Sequence, residues 1–245
     1  MRYKIKPIKH FGQNFLIDKQ VVKKIIRAAD LHPRDVVLEI GPGTGVLTQE
    51  IAKTAKRVIA VEKDPRMIKI LKESLKDFKN VEIINTDILN YKLQTTNYKL
   101  IANLPFYITA PVIRKFLESK SPPKEMILII QKEVAQRICS KPPKTNLLAI
   151  SVQFYAKPKI ISYISRKSFR PIPKVDSAII KIIPHQKYKK VNSKQFFKII
   201  KTGFSHPRKQ LINNLPKNLD IDKKLQQSRA ENLSVDDWID LSKMV

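Results

Sequence analysis

The sequence has little of several residue types, and each shortage excludes something. Its 245 residues include a single cysteine, Cys139, so no disulfide can form within the chain, as is typical of proteins from a reducing compartment. No apolar run approaches the ~20 residues of a membrane helix, and the N-terminal stretch "MRYKIKPIKHFG" lacks the apolar centre of a signal peptide. We therefore expect a cytoplasmic protein with no membrane partner.

Acidic residues are scarce as well. The chain has 48 Lys and Arg against 21 Asp and Glu, which gives a formal net charge of +27. Between Val134 and Leu219 there are 19 Lys or Arg and one acid, Asp176. This excess is larger than solubility requires and indicates a polyanionic partner, with nucleic acid as the first candidate. The alternative is a lysine-rich composition that carries no functional meaning.

The order of apolar segments predicts the fold. From Gln20 onward, short apolar runs of strand length alternate with amphipathic runs of helix length, and prolines and glycines separate them. This alternation is typical of βαβ units and predicts an α/β protein with a doubly wound sheet. The runs "KIISYIS" and "AIIKIIP" are predicted to close the sheet as a strand pair. After Pro184 the pattern becomes basic and then helical, with helices predicted over "QFFKIIKTGF", "RKQLINNL", "DKKLQQS" and "VDDWIDLSKM". We therefore predict an α/β domain over 1–184 and a small all-helical domain over 185–245.

Only five glycines are present, and three of them stand in "LEIGPGTG", Leu38 to Gly45, between a predicted strand and a predicted helix. Glycine lets a backbone turn sharply and lets a ligand approach it, while the helix N-terminus offers free amides. The G-x-G-x-G spacing differs from the G-x-G-x-x-G of pyrophosphate binding, and Glu39 before it would repel a phosphate. We therefore expect S-adenosylmethionine at Gly41, and an NAD-dependent oxidoreductase is disfavoured.

Two further acids stand at the ends of the next predicted strands. Glu62 ends "RVIAVE" and is predicted to accept hydrogen bonds from ribose hydroxyls. Asp87 ends "VEIINTD" and is predicted to accept one from the adenine amino group. Each could instead be a solvated loop acid. Three consecutive strand ends with suitable groups favour a cofactor site.

The following predicted strand is "YKLIAN", Tyr98 to Asn103, and the stretch "NLPF", Asn103 to Phe106, stands at its end. An exocyclic adenine amine is a poor nucleophile because its lone pair is delocalised into the ring. The Asn103 side-chain oxygen and the Leu104 carbonyl are predicted to accept the amine hydrogens and to localise that lone pair. Pro105 would fix the corner, and Phe106 would stack on an extruded base. The alternative is a simple proline turn.

Transfer of a methyl group from the sulfonium of S-adenosylmethionine to this amine would require no metal ion or covalent nucleophile. The histidines also give no reason to expect a metal site. They show no ligand spacing with one another or with Cys139. They are predicted to be structural or surface residues: His10, His32, His185 and His206.

Taken together, the motifs resemble the ribosomal RNA adenine dimethyltransferases of the small-subunit, kasugamycin-resistance type. The resemblance covers nearly the whole chain and follows the family's order of motifs. The motifs are "HFGQNFLID", "EIGPGTG", "VEKD", "TDIL", "NLPF", "QKEVAQR" and "FRPIPKVDSAI". The resemblance implies a Rossmann-like class I methyltransferase sheet, a small helical C-terminal domain that binds RNA, and dimethylation of two adjacent adenines near the 3′ end of small-subunit ribosomal RNA.

The resemblance also implies site residues. The implied cofactor contacts are Asn14, Leu16, Gly41, Glu62, Asp87 and Asn103. The last four follow from the residues alone, whereas "GQNF" would otherwise be interpreted as a plain turn before a helix. Phe169 resembles the family's second aromatic residue near the target base, although a core position would explain it equally well.

The sequence departs from the family pattern at Phe106, where a tyrosine is usual. "ICSKPPKTNLLA" replaces a segment that commonly contains glycine, and "FSHPRKQLINNL" only partly matches an arginine-rich helix start. Two alternatives stay open: an adenine methyltransferase of large-subunit ribosomal RNA of the macrolide-resistance type, and a non-catalytic RNA-binding assembly factor. The expected partner is ribosomal RNA in a small-subunit precursor, and the expected oligomeric state is a monomer.

Overall fold

The structure is a computed structural model that describes residues 12–216 and 222–244; His10 lies outside these ranges. The described residues form two compact units. The first comprises 12–135 and 159–184, and the second comprises 136–158, 185–216 and 222–244. Within the described ranges, no helix is both long and apolar enough to cross a membrane. The same ranges contain no group of three His, Cys, Asp or Glu that could hold a metal ion.

The secondary structure alternates strands and helices, as the apolar pattern predicts. The strands are β1 (Phe15–Leu16), β2 (Val36–Ile40), β3 (Arg57–Glu62), β4 (Val81–Asn85), β5 (Tyr98–Asn103), β6 (Met126–Gln131), β7 (Ala156–Ile164), β8 (Phe169–Arg170) and β9 (Ser177–Pro184). The α-helices are α1 (Lys19–Ala29), α2 (Val46–Ala52), α3 (Pro65–Ser74), α4 (Thr109–Leu117), α5 (Lys132–Ile138), α6 (Leu147–Tyr155), α7 (Ser193–Gly203), α8 (Lys223–Gln227) and α9 (Val235–Lys243).

Seven of these strands form one mixed sheet in the order β4-β3-β2-β5-β6-β9-β7. Strands β2 to β6 pair in parallel, and β9 runs antiparallel to β6. The predicted α/β, Rossmann-like fold is confirmed. Because parallel strands end at the same edge of a sheet, the carboxyl ends of β2, β3, β4 and β5 come together. The glycine turn follows β2, Glu62 ends β3, Asp87 lies two residues beyond β4, and Asn103 ends β5.

The central strands of the sheet are buried. Five of the six residues of β3, all but Arg57, are buried, and so are the first five residues of β5. Both strands contain an uninterrupted apolar run, over 58–61 and 100–102, rather than an alternating pattern, as is typical of parallel sheets covered on both faces. The predicted bounds of β3 and β5 agree with the structure for this reason.

Helix α1 is held at both of its ends. The Asp18 carboxylate caps its first turn by accepting hydrogen bonds from the amides of Gln20 and Val21. At the other end, the buried ammonium of Lys99 donates to the carbonyls of Ala29 and Asp30. Both ends of α1 are therefore fixed by polar contacts, and the residues just before α1 form one wall of the site described below.

The second unit has its own hydrophobic core. Residues of α6, α7 and α9 meet in it, and the Phe154 and Phe196 rings stack with centroids 4.2 Å apart. The fully buried Trp238 ring lies so close to Gly203 that a Cβ there would come within 2.2 Å of it. Residues 136–158 belong to this unit, whereas we expected all of 1–184 in the first domain. The reason is that Ile150 and Phe154 of α6 contribute to this core.

Candidate active site

A cleft of about 910 Å³, open to solvent, lies at the carboxyl ends of β2, β3, β4 and β5, entirely within the first unit. Its walls come from the residues before β1, the turn after β2, the ends of β3 and β5, and the loop after β8. Of the residues singled out in the sequence, the following line the cleft: Asn14, Gly41, Glu62, Asp87, Asn103, Leu104, Pro105, Phe106 and Phe169.

Leu16 is the predicted cofactor contact that is not among the residues lining the cleft. Its side chain is buried in the hydrophobic core, and its backbone belongs to β1, which pairs with β8. The neighbouring Phe15 does line the cleft. Leu16 therefore helps to hold the wall through a buried side chain, and its contact with a cofactor stays a prediction.

The turn after β2 requires glycine. Gly41, Gly43 and Gly45 have φ angles of +67°, +56° and +82°, in a region that L side chains rarely adopt. The Gly41 amide donates to the Val61 carbonyl at 2.9 Å, which ties the turn to β3. A Cβ on Gly43 would lie 3.1 Å from the Phe15 ring. The backbone of the turn is thus exposed to the cleft without intervening side chains.

Within the part of the chain that the structure describes, Glu62 is one of two buried carboxyl groups that line the cleft, and the other is Asp64. Its Oε2 accepts a hydrogen bond from the Gly43 amide at 3.2 Å, and its Oε1 accepts one from the Asp64 amide at 2.8 Å. Burial raises the pKa of Glu62, and these two amides oppose that rise. The amides fix the direction of both oxygens and leave lone pairs that ligand hydroxyls can use.

Asp87 lines the cleft two residues beyond β4. Its Oδ2 accepts a hydrogen bond from the Lys63 ammonium at 2.9 Å, and its Oδ1 accepts one from the Leu89 amide at 2.9 Å. The hydrogen bond from Lys63 lowers the pKa of Asp87, so this group is a carboxylate at neutral pH. The cleft therefore offers a charged acceptor at this strand end, as the sequence predicts.

Glu39 does not play the part that the sequence suggested. It is buried on β2, it is not among the residues lining the cleft, and burial raises its pKa to about 8. At neutral pH the group is mostly protonated, so it offers the cleft little charge with which to repel a phosphate. The expectation that Glu39 selects against phosphate is therefore wrong, and the buried acids that line the cleft are Glu62 and Asp64.

The corner at "NLPF" is built by contacts with two other segments. The Asn103 side-chain nitrogen donates to the Asn14 carbonyl at 3.0 Å, which orients the amide and leaves its oxygen for another donor. The Leu104 amide donates to the Ile129 carbonyl at 3.2 Å, and the Leu104 side chain is buried. Pro105 has φ −54° and ψ 134°, which turns the chain from β5 into a short 3₁₀ helix, Phe106–Ile108. The corner is therefore a fixed structure.

Among the described residues, four aromatic rings line the cleft, and their exposure differs widely. Phe106 is half-buried and Tyr107 is 55% exposed, whereas Phe15 and Phe169 are only 8% and 2% exposed. Phe169 packs in the core with β1, so little of its ring is open to a base. The burial of Phe169 supports a structural position over the stacking position that the resemblance implies. Phe106 and Tyr107 are the rings that a base could reach.

Sequence reasoning missed the contacts that hold the wall before β1. The Gln13 side chain donates to the Asp64 carboxylate at 2.8 Å, and Asp64 also accepts hydrogen bonds from Arg66. The Ser168 hydroxyl donates to the Asp18 carboxylate at 2.9 Å. Asp64 could have been noticed as the N-cap before Pro65, but nothing in the sequence indicates its contact with Gln13.

The fold and the cleft define a class I methyltransferase: a glycine turn without the pyrophosphate spacing, acidic groups at two strand ends and an asparagine-proline corner at a third. The chain belongs to the ribosomal RNA adenine dimethylase family, whose model matches residues 5–245. It is accordingly an S-adenosylmethionine-dependent ribosomal RNA adenine methyltransferase, and that prediction is confirmed.

Curated relatives and solved structures agree with this assignment. The chain is 43% identical to ribosomal RNA small subunit methyltransferase A of Dehalococcoides mccartyi, over 96% of this chain and 87% of the relative. It is 38% identical to the protein of that name from Alkaliphilus metalliredigens, over 100% and 93% of the two chains. A dimethyladenosine transferase from Plasmodium falciparum superposes with a TM-score of 0.82 at 27% identity, over 93% and 95% of the chains. The 23S rRNA methyltransferase ErmE, at 24% identity, shares the fold with a TM-score of 0.82 over 94% and 99%.

Proposed function

We propose that the protein methylates the exocyclic amines of two adjacent adenines near the 3′ end of small-subunit ribosomal RNA, to give dimethyladenosines during ribosome biogenesis. The named relatives support the small subunit as the source of the RNA. The observation that carries the chemistry is the orientation of Asn103, whose side-chain nitrogen is held by the Asn14 carbonyl.

The residues of the cleft fit S-adenosylmethionine. The glycine turn offers bare backbone, Glu62 offers two oxygens fixed by amides, and Asp87 offers a carboxylate. We assign Glu62 to the ribose hydroxyls, Asp87 to the adenine amine, and Asn14, Gly41 and Asn103 to the remaining contacts. When bound, this cofactor supplies a methyl group made electrophilic by a sulfonium sulfur.

The acceptor corner then localises the lone pair of the target amine. Because the Asn103 nitrogen is already engaged, its oxygen accepts one amine hydrogen, and the Leu104 carbonyl accepts the other. The amine nitrogen would become pyramidal and use its lone pair to form the new N–C bond as the methyl carbon–sulfur bond of the sulfonium breaks to leave a neutral thioether. The methylated amine would then release a proton to water. Phe106 stacks on the extruded base, and the positioning of the two reactants supplies most of the rate. No residue is required as a covalent nucleophile.

The proposed partner is ribosomal RNA within a small-subunit precursor, bound by a monomer in the cytoplasm. The second unit is proposed to contribute to RNA binding, since residues 185–216 contain eight Lys or Arg and no acid. The rival functions are methylation of large-subunit ribosomal RNA and RNA binding without catalysis.

The test is to incubate the protein with labelled cofactor and either immature small subunits or naked large-subunit ribosomal RNA. We expect dimethyladenosine, identified by mass spectrometry, in the small-subunit RNA only. Asn103→Ala is expected to bind the RNA normally and to transfer methyl groups about 100-fold more slowly, because one preorganised acceptor is lost. Label only in large-subunit RNA would establish the first rival, and RNA binding without any dimethyladenosine would establish the second.

A further inference from the structure

The loop between β7 and β9, residues 166–174, contributes Phe169 and Pro173 to the lining of the cleft and is strongly basic. Its charged side chains are all exposed and all positive: Arg166, Lys167, Arg170 and Lys174. The nearest acid along the chain, Asp176, is engaged because its Oδ1 accepts a hydrogen bond from the Arg166 amide at 2.9 Å. We call this segment the basic loop. Its charge suits the phosphates of a nucleic-acid strand.

The basic loop is fastened to the wall of the cleft. The Ser168 carbonyl accepts a hydrogen bond from the Ile17 amide at 3.0 Å, and β8 within the loop pairs with β1. Phe169 and Pro173 are both buried and both line the cleft. Arg170 donates to the Phe169 carbonyl at 3.0 Å and retains further N–H groups for a phosphate. The loop therefore has a defined position beside the place where the target base must enter.

Ile172 stands out on this loop because it is apolar and 52% exposed. It lies between Pro171 and Pro173, whose rings restrict the backbone on both sides, and Pro173 lines the cleft. A rigidly held, exposed and branched apolar side chain among four cations does not suit contact with water or with an apolar protein face. It does suit insertion into a stack of bases whose phosphates those cations bind.

We propose that the basic loop binds the RNA strand on either side of the target adenine and that Ile172 enters the gap in the base stack that the extruded adenine leaves. This inference rests on the proposed function, since it presumes an adenine that leaves its stack to reach Asn103 and Phe106. Extrusion costs stacking energy, and an apolar side chain in the vacated space offsets part of that cost. Ile172 then favours extrusion of the adenine, whereas the cations of the loop strengthen binding of the RNA.

The test uses two RNAs with the same sequence around the target. In the first, the target position lies in a continuous stack; in the second, abasic sites on both sides leave it unstacked. Ile172→Ala is expected to slow single-turnover methylation about 10-fold on the stacked RNA and less than about 2-fold on the unstacked RNA. Ile172→Leu should restore most of the rate. Ile161→Ala, which truncates an isoleucine that is 38% exposed on β7, is the matched control and should change neither rate.

A second measurement does not depend on methyl transfer. With 2-aminopurine at the target position of the stacked RNA, binding of the wild-type protein should raise the fluorescence as the base leaves the stack. Ile172→Ala should reduce this rise at saturating protein and raise the Kd only slightly, because Ile172 contributes to affinity only through the extruded form of the complex. Lys174→Gln should weaken binding and lower the salt slope by about one without changing the fluorescence at saturation.

Equal losses of rate on both RNAs, or an undiminished fluorescence rise with Ile172→Ala, would overturn the assignment of Ile172. A wild-type protein that raises the fluorescence but methylates no RNA would be consistent with insertion of Ile172 into the base stack and would overturn the proposed function instead.

Discussion

Glu39 and Glu62 show how differently two buried carboxyl groups on neighbouring strands can be used. Glu62 accepts hydrogen bonds from two backbone amides and faces the cleft, so its oxygens are available in fixed directions. Glu39 lies behind the glycine turn, where burial raises its pKa to about 8, with the charge of Glu62 adding to the rise. The first group serves a ligand, and the second affects stability.

Glu39→Gln should change how stability depends on pH. The unfolded chain releases the Glu39 proton near pH 4.5, whereas the folded chain keeps it up to about pH 8. The folded state therefore loses stability as pH rises between these values, by on the order of a few kcal/mol, and glutamine does not titrate. We expect the Tm of Glu39→Gln minus the Tm of wild type to be larger at pH 8.5 than at pH 5. Glu73→Gln, at an exposed position on α3, is the control; a Tm difference for Glu39→Gln that is the same at both pH values would contradict this account.

At the scale of elements, the turn between β2 and α2 combines a structural and a ligand-binding requirement. Gly41 and Gly45 both have positive φ, so alanine at either position costs about 1–3 kcal/mol of backbone strain. A Cβ on Gly45 would also lie 2.9 Å from the Ser74 hydroxyl and 3.2 Å from a Leu71 methyl. A Cβ on Gly41 would meet nothing closer than the Asn103 carbonyl at 4.0 Å, but Gly41 lines the cleft.

Gly45→Ala is therefore expected to lower the free energy of unfolding more than Gly41→Ala does, whereas Gly41→Ala should weaken cofactor binding more. Urea denaturation measures the first quantity, and calorimetric titration with S-adenosylmethionine measures the second. Each variant serves as the control for the other. The reverse order in both measurements would show that the two glycines do not divide these roles.

The elements that the sequence predicted best are those fixed by local pattern. Strands β3 and β5 were predicted with their observed bounds because each contains an uninterrupted apolar run, over 58–61 and 100–102. The helix predicted over "RKQLINNL" is instead only a 3₁₀ turn, Leu211–Asn213. There the Asn214 side chain donates to the Gly203 and His206 carbonyls, and such bonds compete with a helix. The β1–β8 pair was missed because it consists of two residues on each side and joins segments about 150 positions apart.

The site was predictable as far as strand ends could be read from the sequence. Gly41, Glu62, Asp87 and Asn103 each follow or end an apolar run, so their convergence follows from a parallel sheet. Asn14 was found only by resemblance, since its contact with Asn103 joins residues 89 positions apart. Phe169 is buried and Glu39 does not line the cleft because of side-chain packing, which the hydrophobic pattern of the sequence does not predict.

At the scale of the whole molecule, charge is distributed unevenly along the chain. Residues 134–219 hold 19 Lys or Arg and one acid, whereas residues 63–87 hold six Lys or Arg and five acids. A polyanion should therefore make most of its phosphate contacts with the first of these segments and few with the second. Each phosphate neutralised by a cation releases a counterion, so the slope of log Kd against log salt increases with the number of such contacts.

RNA affinity should accordingly fall steeply with salt, and one set of lysines should account for a defined part of the slope. Lys194, Lys198 and Lys201 are exposed on α7, and Lys69, Lys72 and Lys76 are exposed on or just after α3. Replacing the α7 set by glutamine should reduce the slope of log Kd against log salt by about 2–3, and replacing the α3 set should reduce it by less than about 1. Filter binding of a small-subunit RNA fragment between about 50 and 200 mM salt measures both slopes. Equal slopes for the two triple variants would mean that the RNA is attracted by net charge alone, and a flat response in the wild type would mean that the basic segment is not where the RNA binds.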